Sequence, residues 1–228
     1  MARTSATGRK ATPFDSAFSA ASRACSAFEA WQRFVYMAAY EIAFAFRQDT
    51  SPFSDIANSS RKAAGDDFRA YADMMSAMVE ELERDPFQDF MGSAFMRLGI
   101  GNEAGGQFFT PFNISYLMGR LLADAEGGGV VRVSEPACGA GANCIALCKA
   151  LDDRGVDWQR RVLFECQDVS EITALMCYIQ LSLIGAAAKV TVGDTLRMEE
   201  RYALRTPVLV TEPAWMLRRV RGELSDVW

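Results

Sequence analysis

Histidine is absent from this sequence. Its absence removes the Ser-His and Cys-His arrangements that activate a nucleophile, and every mixed cysteine-histidine zinc site. No two of the six cysteines form a Cys-x-x-Cys pair. Cys144 and Cys148 stand one helical turn apart, and Cys138, Cys166 and Cys177 lie in apolar stretches, so buried reduced thiols are expected and no metal. No apolar run reaches the roughly 18 residues that span a bilayer. Met1 to Phe14 holds no continuous apolar core after its basic residues. Neither a membrane nor a secretory route is expected, and a cytoplasmic protein follows.

Half of the residues are hydrophobic, which makes the chain globular. The net charge of −5 gives no overall attraction to nucleic acid. DNA contact would have to use local basic groups, either Arg3, Arg9 and Lys10 or Arg218, Arg219 and Arg221. Both clusters also suit a solvated terminus.

Residues 1–13 read as a flexible tail, small, polar and basic. Residues 14–98 read as a helical domain. Phe28, Trp31, Phe34, Val35 and Ala38 recur at three- and four-residue steps, and Phe68, Tyr71, Met75, Met78, Val79 and Leu82 share one face of a second helix. Ser51-Pro52 separates these stretches, and a short helix from Asp85-Pro86 runs to Leu98. The Met and Phe stripe is expected to pack on the next domain.

At Gly99 the texture changes. A glycine-rich loop, a helix from Pro111 to about Ala123, and Gly127-Gly128-Gly129 lead into alternating strands and helices. Strands are expected over Val130–Ser134, Val162–Cys166, Lys189–Val192 and Val208–Thr211, with helices over Asn143–Leu151 and Glu171–Ile184. This order implies an α/β fold over 99–228: about four parallel strands, covered on both faces.

Chemistry concentrates at the strand ends. The first strand runs into Glu135-Pro136-Ala137-Cys138-Gly139-Ala140-Gly141, where glycines let backbone approach a ligand. A third glycine and a Lys-Ser/Thr are missing, so neither dinucleotide nor phosphate-loop signatures are met. Glu135 disfavours a phosphate and suits an amine or hydroxyls. Asp168 ends the second strand and could accept from ribose hydroxyls; Asp194 ends the third and could accept from an adenine amine. A single such acid is usually a helix cap. Three at successive strand ends mark the ligand-binding edge of an open sheet.

These segments resemble the adenine-N6 DNA methyltransferase family, especially modification subunits of type I restriction systems. The resemblance covers roughly Gly99 to Trp215. It rests on Gly106-Gln107-Phe108-Phe109-Thr110-Pro111, on Glu135 to Gly141, on Gln167-Asp168 with Ala174-Leu175-Met176 and Gln180-Leu181-Ser182-Leu183, and on Gly193-Asp194-Thr195-Leu196. It implies a Rossmann-like sheet binding S-adenosylmethionine. Phe108, Thr110 and Pro111 would line the methionine end, Glu135, Ala137, Gly139 and Gly141 the middle, Asp168 the ribose and Asp194 the adenine.

The family's catalytic tetrapeptide of Asn or Asp, two prolines and an aromatic is matched by Glu212-Pro213-Ala214-Trp215 at the expected end of the fourth strand. By resemblance Glu212 and Pro213 would accept from the target amine and Trp215 would stack on a flipped base. Glu is one methylene longer than Asp, and a displacement of about 1 Å can cost about 100-fold in rate. Only 13 residues follow Trp215, too few for further strands of such a sheet, so the N-terminal helices, a second copy or a partner subunit are expected to cover the exposed edge of the fourth strand. Three readings stay open: methyl transfer to adenine in DNA, a methylase-like binding or regulatory subunit that has lost turnover, and, ranked last, methylation of another acceptor such as RNA or protein.

Overall fold

In the computed structural model, residues 10–100, 109–123, 129–224 and 227 are described. The tail residues Arg3 and Arg9, the motif residues Gly106, Gln107 and Phe108, and the Gly127-Gly128 pair lie outside them.

The described residues open with five α-helices: α1 (Pro13–Ala21), α2 (Ala27–Ala45), α3 (Ser54–Ala64), α4 (Phe68–Arg84) and α5 (Phe90–Arg97). Their starts follow local chemistry. Thr12 and Asp15 form a reciprocal capping box with Pro13 at the first turn, Ser26 caps α2 through Glu29 N–H, and Asp89 caps α5 through Gly92 N–H. Helix α6 (Phe112–Leu122) leads into β1 (Val131–Glu135), α7 (Ala142–Asp152), a short α8 (Trp158–Arg161), β2 (Val162–Asp168), α9 (Glu171–Leu183) and β3 (Ala187–Asp194). Then come β4 (Glu199–Arg205), α10 (Pro207–Thr211) and α11 (Pro213–Val220).

The four strands form one sheet in the order β1-β2-β3-β4. β1, β2 and β3 are parallel, whereas β4 returns antiparallel to β3 through a tight turn. Helix α9 is apolar on every side, and Ile172 through Leu181 are all buried between the sheet and the N-terminal helices, where α2 packs on it. A single buried cluster therefore runs from Phe14, Trp31 and Met78 through α7 and α9 to Phe164, Cys166 and Val190 of the sheet. Trp31 Nε1 donates to Met176 Sδ at 3.4 Å, and Tyr36 hydroxyl donates to Glu171 at 3.0 Å across the same junction. Phe68, Val79 and Met75 are not part of its fully buried set; Phe68 is exposed on the expected stripe.

Two expectations for the sheet are corrected. The segment Val208–Thr211 is helix, not a fourth parallel strand. Thr206 ends β4 by giving its hydroxyl to Ala186 carbonyl at 2.6 Å and accepting Ala188 N–H at 2.9 Å, and Pro207 then supplies a helical φ at the first turn. The fourth strand is instead Glu199–Arg205, so the sheet is mixed. Nor are both faces covered alike. One face enters the main core, but the other carries a charged ladder, with Arg132 Nε 2.7 Å from Glu165 and Lys189 Nζ 3.6 Å from Glu200. Among the described residues its apolar cover lies at the lower end, where Leu163 and Ala187 meet Leu209, Trp215, Leu224 and Val227.

Candidate functional site

The C-terminal ends of the three parallel strands converge. After Glu135 the chain turns sharply: Cys138 N–H donates to Gln167 carbonyl at 2.9 Å, which ties the turn to β2. Gly139 and Gly141 hold φ of 52° and 95°, left-handed values that side-chain-bearing residues rarely adopt. A Cβ on Gly139 would lie 3.2 Å from the Phe109 ring, and one on Gly141 3.0 Å from Cys177 Sγ. Gly141 then caps α7, so free N–H groups of the first turn face the edge.

Asp168 organises this turn. Its Oδ2 accepts Gly139 N–H at 2.8 Å, and its Oδ1 accepts Ser170 N–H at 2.9 Å and the Thr173 hydroxyl at 3.0 Å. A carboxylate offers about four lone-pair sites, so one remains for a ligand. Glu135 accepts from Asn143 Nδ2 at 3.1 Å, leaving most of its capacity open. Asp194 accepts Leu196 N–H at 3.0 Å and Arg197 N–H at 3.2 Å, with Arg197 Nε at 3.6 Å. The Thr195 hydroxyl donates to Pro136 carbonyl at 2.7 Å, drawing the β3–β4 turn against the glycine turn. Ala137 lies within the same turn.

Thr110 and Pro111 are exposed at the start of α6, and their neighbour Phe109 lies over Gly139 with its ring edge-on to Phe95 at 5.5 Å. The segment from Phe109 to Pro111 and the glycine turn are thus adjacent. Phe108 lies outside the described residues. Two apolar side chains that the sequence reading missed stand bare beside the acids, Val169 at 64% and Leu196 at 97% exposure. Their position, one or two residues beyond each strand-end acid, was the available signal. Bare apolar groups beside hydrogen-bond acceptors suit a flat, polar-rimmed ring system. Three carboxylates at one edge repel phosphate and favour hydroxyl, amine or sulfonium groups.

Beneath the turn lie reduced thiols. Cys144 and Cys166 are 3.6 Å apart, and hydrogen bonds from Cys166 and Cys177 hold the Cys138 thiol low, at about 6. A separate apolar groove of about 300 Å³ opens between α2 and α4, lined by Phe34, Met37, Phe68, Tyr71 and Met75, away from the strand ends.

Glu212, Pro213 and Trp215 do not join this edge. Trp215 is fully buried, donates Nε1–H to Gln159 carbonyl at 2.9 Å, and lies under the Arg218 guanidinium at 4.9 Å. Glu212 pairs with Arg160 at 3.0 Å, and Pro213 starts α11. Gln159 and Arg160 precede β2, so the tetrapeptide sits at the opposite end of the strands, about 20 Å away by the rise of seven residues. The cause is the missing fourth parallel strand: with Pro207 opening a helix, the chain never crosses back to the acidic edge. A base could not stack on Trp215 in this arrangement.

No described helix is long and apolar enough to cross a membrane. A model of the N-6 DNA methylase family matches residues 98–222, more than half of the chain. Comparison with curated proteins and with solved structures finds no match.

Proposed function

The chain belongs to the N-6 DNA methylase family, and from that premise we propose that it binds S-adenosylmethionine along the acidic strand edge as the cofactor-holding part of an adenine-N6 methylase. The observation that carries this is the single constellation of Glu135, Asp168 and Asp194 around a left-handed glycine turn that Asp168 itself anchors. The residues fit the group: a cradle that a Cβ would fill, spare carboxylate acceptors for ribose hydroxyls and amines, and no phosphate-binding signature. In this reading Asp168 accepts from the ribose, Asp194 from the adenine amine, Val169 and Leu196 cover the ring faces, and Glu135 with Ala137, Gly139 and Gly141 holds the middle. Thr110 and Pro111, with Phe108, flank the methionine end. Bound there, the cofactor supplies an electrophilic methyl group on a sulfonium; the chain's part is to orient it and exclude water.

Asp168→Ala is a poor probe, because it also releases Gly139, Ser170 and Thr173. The better test is calorimetric titration with S-adenosylmethionine of the wild type and of Val169→Asp, which leaves the turn's hydrogen bonds in place. Saturable binding weakened at least about tenfold by Val169→Asp supports the reading, since each factor of ten is about 1.4 kcal/mol of lost ring contact and added repulsion. A folded wild type that shows no heat of binding would overturn it.

A second reading, cofactor binding without turnover in a regulatory or decoy subunit, is supported by the buried, paired state of Trp215 and Glu212. Radiolabelled methyl transfer to unmethylated DNA divides the two. Incorporation that survives in a folded Trp215→Leu variant, which removes the aromatic ring, argues that Trp215 is a packing residue and that the acceptor contacts lie elsewhere.

A further inference from the structure

The glycine turn is held from behind by a buried polar bridge that reaches the N-terminal helices. Gln180, on α9, is fully buried. Its Nε2 donates to Ala140 carbonyl at 2.7 Å and to Asp89 Oδ1 at 2.9 Å, and its Oε1 accepts Met91 N–H at 2.9 Å. Both amide hydrogens are used, and the oxygen has a backbone donor. Asp89, also buried, caps α5 by accepting Gly92 N–H at 2.9 Å on the same Oδ1. Ala140 lies between the two left-handed glycines and ahead of the first residue of α7, so its carbonyl is one the helix itself does not pair.

An amide can present oxygen or nitrogen to a given neighbour, and here the choice is fixed. Met91 N–H requires oxygen on one side, while Asp89 and Ala140 carbonyl require the NH₂ on the other. A flipped Gln180 would set like against like at three buried contacts, where each unpaired group costs about 1–3 kcal/mol. The Ala140 peptide plane is therefore set by α5. With Gly139 N–H fixed from the front by Asp168, the turn is gripped from both sides.

We propose that Gln180 and Asp89 are positioning residues for the cofactor turn, through which α5 of the N-terminal helices fixes the backbone that approaches the ligand. This rests on the S-adenosylmethionine reading for its ligand, but the fixing of the turn is measurable without ligand.

The test uses the full chain with Gln180→Met, which keeps volume and removes all three bonds, and Asp89→Asn, which keeps an oxygen acceptor for Gln180 and Gly92. Met78→Ala, a truncation of a buried side chain in α4, serves as a control for general destabilisation. In the cofactor-free protein, hydrogen exchange of the segment 139–143 is expected to quicken at least about tenfold in Gln180→Met. It should stay within about threefold in Asp89→Asn and Met78→Ala. Calorimetry should show S-adenosylmethionine bound at least about tenfold more weakly by Gln180→Met and within about threefold by the other two.

Unchanged exchange in Gln180→Met, or equal acceleration in Met78→Ala, overturns the proposal. If Gln180→Met does not fold, Asp89→Ala takes its place, with at least about threefold faster exchange at 139–143 expected and no change there overturning the idea. A wild type that fails to bind S-adenosylmethionine yet shows the exchange pattern overturns the cofactor reading and leaves the bridge standing.

Discussion

Trp215 carries its largest energetic duty far from the acids. Fully buried against Leu163 and Ala187, it closes the lower end of the sheet's second face. Trp215→Ala should cost about 3–5 kcal/mol, seen as a lower urea midpoint. Trp215→Phe should cost about 1 kcal/mol through the lost bond to Gln159. A loss of methyl transfer in the alanine variant would thus report unfolding before it reported chemistry. Asp89 offers a pH test. Burial pushes its carboxyl above the ordinary carboxylate value, so the folded state holds its proton more tightly than the unfolded chain does. Its stabilising share is present at low pH and fades as pH rises past about 3.8 through the raised value. Asparagine at this position does not titrate. The stability difference between wild type and Asp89→Asn, from urea melts between pH 4 and 7, should therefore move against the wild type as pH rises. At this scale the sequence made the three acids visible because each ends a strand beside small residues. Their existing duties were not visible, since Asp168 spends bonds on Gly139, 29 residues away.

Among elements, periodicity located α4 to α7 and α9, and the three parallel strands wherever an apolar run meets a glycine or an acid, but it ran α1 and α2 together and passed over α3, whose buried face is only Ala57, Ser60 and Ala64. It failed after Asp194. Val208-Leu209-Val210-Thr211 is a short apolar run that serves equally as strand or buried helix turn, and Pro207 with Thr206 decides for helix. Glu199–Arg205 was overlooked because four of its seven residues are charged. Its pairing with β3 comes from the turn, where Met198 adopts φ of 55°, and not from an apolar pattern. The glycine turn itself is the most strongly specified element. Gly141→Ala would need a left-handed alanine and a shifted Cys177, at about 1–3 kcal/mol. Thermal melts should show that loss, and S-adenosylmethionine affinity should fall with it.

For the molecule as a whole, we propose that a second copy or a partner subunit covers the β1 side. Among the described residues β1 pairs only with β2. Beside it α6 bares Ile114, Leu117, Met118, Leu121 and Leu122, and Leu122 borders a groove of about 250 Å³ with Val131 and Val133. Sedimentation at tens of micromolar should show association, weakened at least about tenfold by Leu121→Glu; a strictly monomeric wild type argues against self-association. The far side of the sheet is different. Gln48 accepts Arg205 N–H at 3.3 Å, and Phe53 stacks on Tyr202 with centroids 5.7 Å apart, so the loop between α2 and α3 reaches the C-terminal half of β4. A sheet that can grow in one direction only has a single valence. In the proposed self-association, two copies joined there would saturate one another, and the assembly would close as a finite pair where a sheet with two free rims would extend into a fibre.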